Sequence, residues 1–219
     1  MLLYAVAVFL ATTVLYHFMN PGWVDLRRAR ILMADDRFQE ALPILESVKA
    51  RGLQSDLLDE KLGEALLRAG RGSEVIALLK TDSTLHGLGR VRLLAGAYAQ
   101  DQRPEGGLAF FEEFLKGQGQ LDAGARLQYA SLLRQARRDG EAEAAYAMVT
   151  GPESRRARLE LAEMQAWQGR FGEAIPSLRQ LVEEDPSDRA IRLLLARVLT
   201  WSGDYQESQA EYRKLLSPP

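Results

Sequence analysis

Gly169-Arg170-Phe171-Gly172-Glu173-Ala174, followed four residues later by Leu178, is a phrase that the chain repeats. It returns as Gly203-Asp204-Tyr205-Gln206-Glu207-Ser208 before Tyr212, as Asp36-Arg37-Phe38-Gln39-Glu40-Ala41 before Leu45, and as Gly70-Arg71-Gly72-Ser73-Glu74-Val75 before Leu79. Two less regular copies end at Gly107, before Phe111, and at Ala142, before Tyr146. With the last residue of each phrase as a ruler, positions 41, 75, 107, 142, 174 and 208 lie 34, 32, 35, 32 and 34 residues apart. A period of this length means an array of small supersecondary units, each unable to bury its apolar face without its neighbours.

A second set of small residues, Ala29, Gly63, Ala95, Ala130, Ala162 and Ala196, precedes the phrases in the same order. Small side chains let two helices approach closely. Together these positions resemble the tetratricopeptide repeat (TPR) family from Gly22 to Pro219. In that family one small residue sits midway along the first helix of each pair, and the Glu-Ala step opens the second. The resemblance implies an all-α fold: a right-handed TPR α-solenoid of about six helix pairs over residues 22–219. Pro186, after Glu183-Glu184-Asp185, stands where the pattern expects the fifth pair to stop. The third copy departs from the pattern with Pro104 and Gly106-Gly107, and Gly117-Gln118-Gly119 reads as a loop between repeats.

The stretch before the repeats has a different character. Met1 to Val24 contains no Asp, Glu, Lys or Arg, and Leu2 to Met19 is almost continuously apolar. As a helix those residues would rise roughly 27 Å, close to the ~30 Å hydrocarbon core of a bilayer. Residues 1–21 are therefore expected to form an N-terminal transmembrane anchor, with membrane contact through residues 2–19, ended by Asn20-Pro21-Gly22. Arg27, Arg28 and Arg30 follow it, which favours a single-pass inner-membrane protein with its repeats in the cytoplasm. The alternative is a periplasmic scaffold.

Composition agrees with a helical scaffold and narrows its ligands. The 219 residues are 47% hydrophobic and 26% charged, as in a folded globular protein. A formal net charge of -2 gives no general attraction to nucleic acid. There is no cysteine, hence no disulfide framework, thiolate metal site or thiol nucleophile. His17 and His86 cannot form a histidine metal triad, and no phosphate loop, nucleophile elbow or His-Glu-x-x-His motif occurs. The adjacent carboxylates at 35/36, 112/113 and 183/184 diverge on a helix rather than converging on a substrate. The expectation is a chain that is not an enzyme, with no cofactor, no metal and protein partners.

Resemblance to the TPR family places exposed first-helix residues on the ligand-facing side of the array. The candidates are Arg92, Gln100, Arg134, Gln135, Glu163, Trp167, Arg197 and Trp201. Trp167 and Trp201 lie 34 residues apart and are expected to stack in register. They are either binding contacts or packing against the adjoining pair. Arg155, Arg156 and Arg158, with Arg137 and Arg138, are read as a solvated basic face or a site for an acidic surface. The phrases around Trp167 and Trp201 also look like TPR segments of bacterial exopolysaccharide machinery, and an anchor followed by repeats is similar to the inner-membrane TPR subunit of Pel-type systems. This likeness implies an adaptor in a membrane complex for exopolysaccharide synthesis in biofilms, or, for the periplasmic alternative, contact with polysaccharide.

Overall fold

The computed structural model describes residues 21–81 and 83–216, and among them twelve α-helices alternate with short turns in six antiparallel pairs. The pairs are α1 (Pro21–Ala34) with α2 (Phe38–Ala50), α3 (Asp56–Arg68) with α4 (Gly72–Thr81), and α5 (Gly87–Gln100) with α6 (Pro104–Lys116). They continue with α7 (Ala123–Gln135) and α8 (Asp139–Ala147), α9 (Ser154–Trp167) and α10 (Phe171–Glu184), and α11 (Arg189–Ser202) and α12 (Tyr205–Leu216). A short 3-10 turn, Gly151–Glu153, leads into α9. The packing divides into two compact units, the first ending at Gly119 and the second beginning at Gln120.

Both sets of small residues are at the helix crossings. Ala29, Ala95, Ala130, Ala162 and Ala196 on first helices are 0% exposed, as are Ala41, Val75, Ala142 and Ala174 on second helices. Gly63 and Gly107 are buried too. At Gly63 a Cβ would stand 2.6 Å from Leu93 Cδ1, so a larger residue there would displace the Leu93 side chain that packs between α3 and α5. Ser208, 3% exposed, takes the same place on α12 and donates its hydroxyl to the Ala196 carbonyl at 2.9 Å, which satisfies the polar atom. Large aliphatic residues fill the space between: Leu26, Leu45, Leu58, Leu79 and Leu94 in the first unit, Leu178, Leu181, Ile191, Leu195 and Leu199 in the second. Burying each contributes about 1.5–3 kcal/mol.

Every turn within a pair contains one left-handed residue: Asp36, Gly70, Gln102, Arg137, Gly169 and Gly203, with φ between 56° and 91°. Backbone bonds such as Arg170 N–H to the Gln165 carbonyl, 2.9 Å, then close the helix end. Glycine adopts this conformation freely, whereas other residues are strained by roughly 1–2 kcal/mol. Arg137 is exposed at φ 62°. Arg137→Gly is expected to stabilise by up to about 1 kcal/mol once glycine's extra unfolded-state entropy is deducted, and Gly169→Ala to destabilise by a similar amount. Opposite shifts of the melting temperature would check this.

The irregular third phrase has a local cause. The Tyr98 ring lies over the first turn of α6, packed 5.6 Å from Phe110 and under the Arg103 guanidinium at 4.9 Å. A Cβ on Gly106 would come within 2.6 Å of Tyr98 Cδ1. Glycine is required where the other copies place Glu.

The basic residue of the phrase also has a defined task. Arg37 forks onto Glu40, with both bonds at 2.7 Å. Arg71 does the same to Glu74, and Arg138 to Glu141 at 2.8 and 2.7 Å. Arg170 forks onto Glu173 and also reaches Glu143 of the preceding pair, while Arg71 reaches Glu46 at 2.8 Å. These hydrogen bonds hold the carboxyls of Glu40, Glu74, Glu141 and Glu173 below the ordinary glutamate value near 4.5. The stability they contribute is complete above that value and is lost as pH falls through the lowered folded values. Melting temperature is therefore expected to drop below about pH 4.5, less steeply in Arg170→Gln, as melts from pH 6 to 3 would record.

Two expectations are corrected here. The transmembrane anchor, and with it the single-pass inner-membrane location, is withdrawn: among the described residues no helix is long and apolar enough to cross a membrane. The apolar stretch of residues 1–20 that suggested it lies outside the described residues, while Pro21 and Gly22 open α1. The basic run is not a free cationic face either. Arg155 pairs with Asp188 at 3.1 Å, Arg156 with Glu160 at 2.9 Å, and Arg158 grips both oxygens of Glu184 at 2.8 and 2.7 Å.

Candidate protein-binding face

Five residues beyond each buried first-helix alanine of the second unit stand Gln135, Trp167 and Trp201, at the C-terminal ends of α7, α9 and α11. The helices place them there because five residues, nearly a turn and a half, rotate the side chain from the crossing to the opposite face. Trp167 is 73% exposed and Trp201 40% exposed. Their ring centroids are 5.3 Å apart with the planes tilted by 46°, a favourable aromatic geometry. The tryptophans thus touch each other in the expected register but are not absorbed into the core.

One residue after the same alanines stand Glu163 and Arg197. Arg197, exposed, lies with its guanidinium carbon 5.3 Å from the centre of the Trp201 ring, a cation–π contact. Leu193, 42% exposed, is one turn earlier on the same face of α11. It carries the apolar surface beyond the tryptophans; in the sequence it is indistinguishable from a core leucine. Glu163 is half-buried, and burial pushes its carboxyl above the usual glutamate range, with the nearby Arg134 charge opposing and Glu160 adding to the rise. Arg134, at the end of α7, is half-buried, and its Nε has no hydrogen-bond partner among the described residues.

Beneath this face lies a polar network with no sequence signal. Glu160, 9% exposed, accepts from Ser131 of α7, from the Tyr146 hydroxyl of α8 at 2.9 Å, and from Arg156 Nε at 2.9 Å. Burial first, and the Glu160 charge besides, push the Tyr146 hydroxyl up to about 12, so it remains a donor. The network ties three helices together below Glu163.

The remaining candidates, Arg92 and Gln100, belong to α5 in the first unit. Arg92 is exposed and already engaged within the chain. Gln100 donates its amide to the Leu67 carbonyl at 2.6 Å, closing the end of α3 and so holding two pairs together. The structure brings Trp167, Trp201 and Arg197 into one patch and sets Glu163 beside Arg134, whereas Gln100 has a structural task. Among the described residues no group of three or more His, Asp and Glu side chains is placed to hold a metal ion.

Comparisons with known proteins agree with this architecture. Two tetratricopeptide-repeat family models match, one over residues 143–188 and one over residues 166–217. A thermophilic TPR protein of Thermus thermophilus superposes with a TM-score of 0.67 at 23% identity, over 82% of this chain and 99% of its own. A tetratricopeptide repeat protein of Parabacteroides merdae gives a TM-score of 0.66 at 17% identity, over 90% and 80% of the two chains. YrrB, described as a TPR protein with an unusual peptide-binding site, gives 0.54 at 15% identity, over 76% and 88%. No curated protein matches. The chain has the TPR fold. None of these matches carries the Pel-type or exopolysaccharide likeness, and that reading is withdrawn together with the membrane complex it implied.

Proposed function

We propose that the chain is a non-catalytic protein-binding scaffold whose docking face in the second unit is formed by the ends of α7, α9 and α11. The observation that carries the reading is the pair Trp167 and Trp201, in mutual contact yet exposed. Trp167 leaves 73% of its surface in water, more than folding requires of so large an apolar ring, and tryptophan and arginine are the side chains most often found at the energetic centre of interfaces. Arg197 and Leu193 extend the patch with a cation and an aliphatic surface. Peptide binding by a structural relative, YrrB, is in keeping with the same use of the fold.

The double variant Trp167→Ala plus Trp201→Ala tests this. The fold is expected to be kept with a loss of about 1–2 kcal/mol, from the ring contact and the buried part of Trp201, while partners recovered by crosslinking and pull-down are lost. For a purified partner the loss of affinity is expected to be at least about 30-fold, equivalent to roughly 2 kcal/mol. A double variant that keeps every partner at wild-type affinity would refute the face.

A further inference from the structure

Several arginines of the second unit are tied to carboxylates of the chain by direct hydrogen bonds, and two on the proposed face are not. Arg155, Arg156, Arg158 and Arg170 each hold a carboxylate of this chain. Among the described residues, Arg197 has only the Trp201 ring, and Arg134 keeps a buried Nε without an acceptor. Resting on the proposed function above, we infer that the occupant of this face is an acidic segment of a partner protein, with an aromatic or large aliphatic side chain between its carboxylates. The apolar side chain seats on Trp167, Trp201 and Leu193. The carboxylates accept from Arg134 on one side and Arg197 on the other.

Complementarity decides among occupants. A basic segment would meet two guanidiniums and be repelled, and a neutral one would desolvate both without giving them acceptors. Carboxylates match the planar donor fork of arginine and form its stronger, charge-assisted hydrogen bonds. Helices packed about 8–10 Å apart put α7 and α11 roughly 20 Å from each other, a span of about six extended residues. Single-stranded nucleic acid would also offer stacking and negative charge. It requires a cationic track along its backbone, and two arginines on a chain of net charge -2 do not supply one. Glu163, half-buried beside Arg134, is the opposing charge on the face.

A selection of random dodecapeptides displayed on phage against the full chain tests the inference without presupposing a sequence. Enriched peptides are expected to carry Asp or Glu on both sides of an aromatic or large aliphatic residue. Calorimetry with the synthetic winner is expected to show about tenfold weaker binding to Arg134→Gln and to Arg197→Gln, tighter binding to Glu163→Gln, and weakening in 0.5 M salt. Neutral or basic winners that fail to bind Trp167→Ala plus Trp201→Ala would overturn the acidic occupant and leave the docking face standing. Winners that bind the double variant as tightly as wild type, or no enrichment at all, would overturn both. An oligo-dT probe binding more tightly than the winning peptide would overturn the inference in favour of nucleic acid.

Discussion

Ala162→Arg is expected to unfold the second unit, or to lower its melting temperature by more than about 15 °C. Ala162 is 0% exposed and sits in the core with Ala174, Leu178 and Leu199, so no water-filled space receives a longer side chain. Overpacking alone costs about 1–3 kcal/mol. A guanidinium forced among the aliphatic side chains of this cluster adds several more for the burial of its charge. The total is a large part of the roughly 5–15 kcal/mol by which a domain is stable. Ala196→Arg should behave alike, since the Ala196 carbonyl also receives the Ser208 hydroxyl. Trp167→Arg, on the exposed face of the same helix as Ala162, is the control and is expected to melt like wild type. Circular dichroism melts of the three variants check the set; unchanged melting of both alanine variants would contradict the register.

Asp59→Ala is expected to destabilise the first unit by about 3–5 kcal/mol, the range for removing one member of a buried ion pair. Asp59 is 0% exposed on α3, and its two oxygens serve different elements. One accepts from Lys49 Nζ of α2 at 2.8 Å, the other from the backbone N–H of Thr84, ahead of α5, at 2.9 Å. Removing the carboxylate leaves an ammonium and a backbone donor without it in the middle of three elements. The Lys49 side chain is 12% exposed and can turn partly to water, which places the expectation at the lower end of the range. Asp59→Asn keeps an acceptor for Thr84 and is expected to cost less. Denaturant unfolding of both would separate the two contributions; equal and small losses would show that the carboxylate is not what joins these helices.

The two effects differ in how far the sequence announces them. Ala162 is legible because its role repeats: a small side chain is demanded at each crossing, and six crossings print that demand six times. The turn residues Gly70, Gly169 and Gly203 are legible for the same reason, while Asp36, Gln102 and Arg137 hide an identical backbone under residues that do not advertise it. Asp59 is illegible. Asp56-Leu57-Leu58-Asp59-Glu60-Lys61 reads as the solvated start of a helix, and the partners Lys49 and Thr84 are single events on other elements. The network of Glu160, Ser131 and Tyr146 is hidden in the same way, because only packing brings α7, α8 and α9 to one point.

At the candidate face, the register of Trp167 and Trp201 follows from the period, and so does their contact. Their exposure does not follow, since a tryptophan near a helix end packs inward or stands outward according to its neighbours. The basic run from Arg155 to Arg158 is ambiguous for the opposite reason: charge is visible in a sequence, but two of the carboxylates that neutralise it, Glu184 and Asp188, arrive from the end of the next helix and the turn beyond it. Arg134 and Arg197 stand among the first-helix candidates in the sequence, but their lack of a carboxylate partner among the described residues is visible only in the structure.

The absence of cysteine allows both faces of one helix to be probed with a single chemistry. Single substitutions Ala162→Cys, Trp167→Cys, Ala196→Cys and Trp201→Cys can be compared by their rates of thiol labelling under native conditions. Labelling at 167 and 201 at rates near that of a free thiol, with 162 and 196 reacting only through unfolding, is the expected result. Thiols at 162 and 196 that react as fast as those at 167 and 201 would contradict the helix register on which both the fold and the binding face rest.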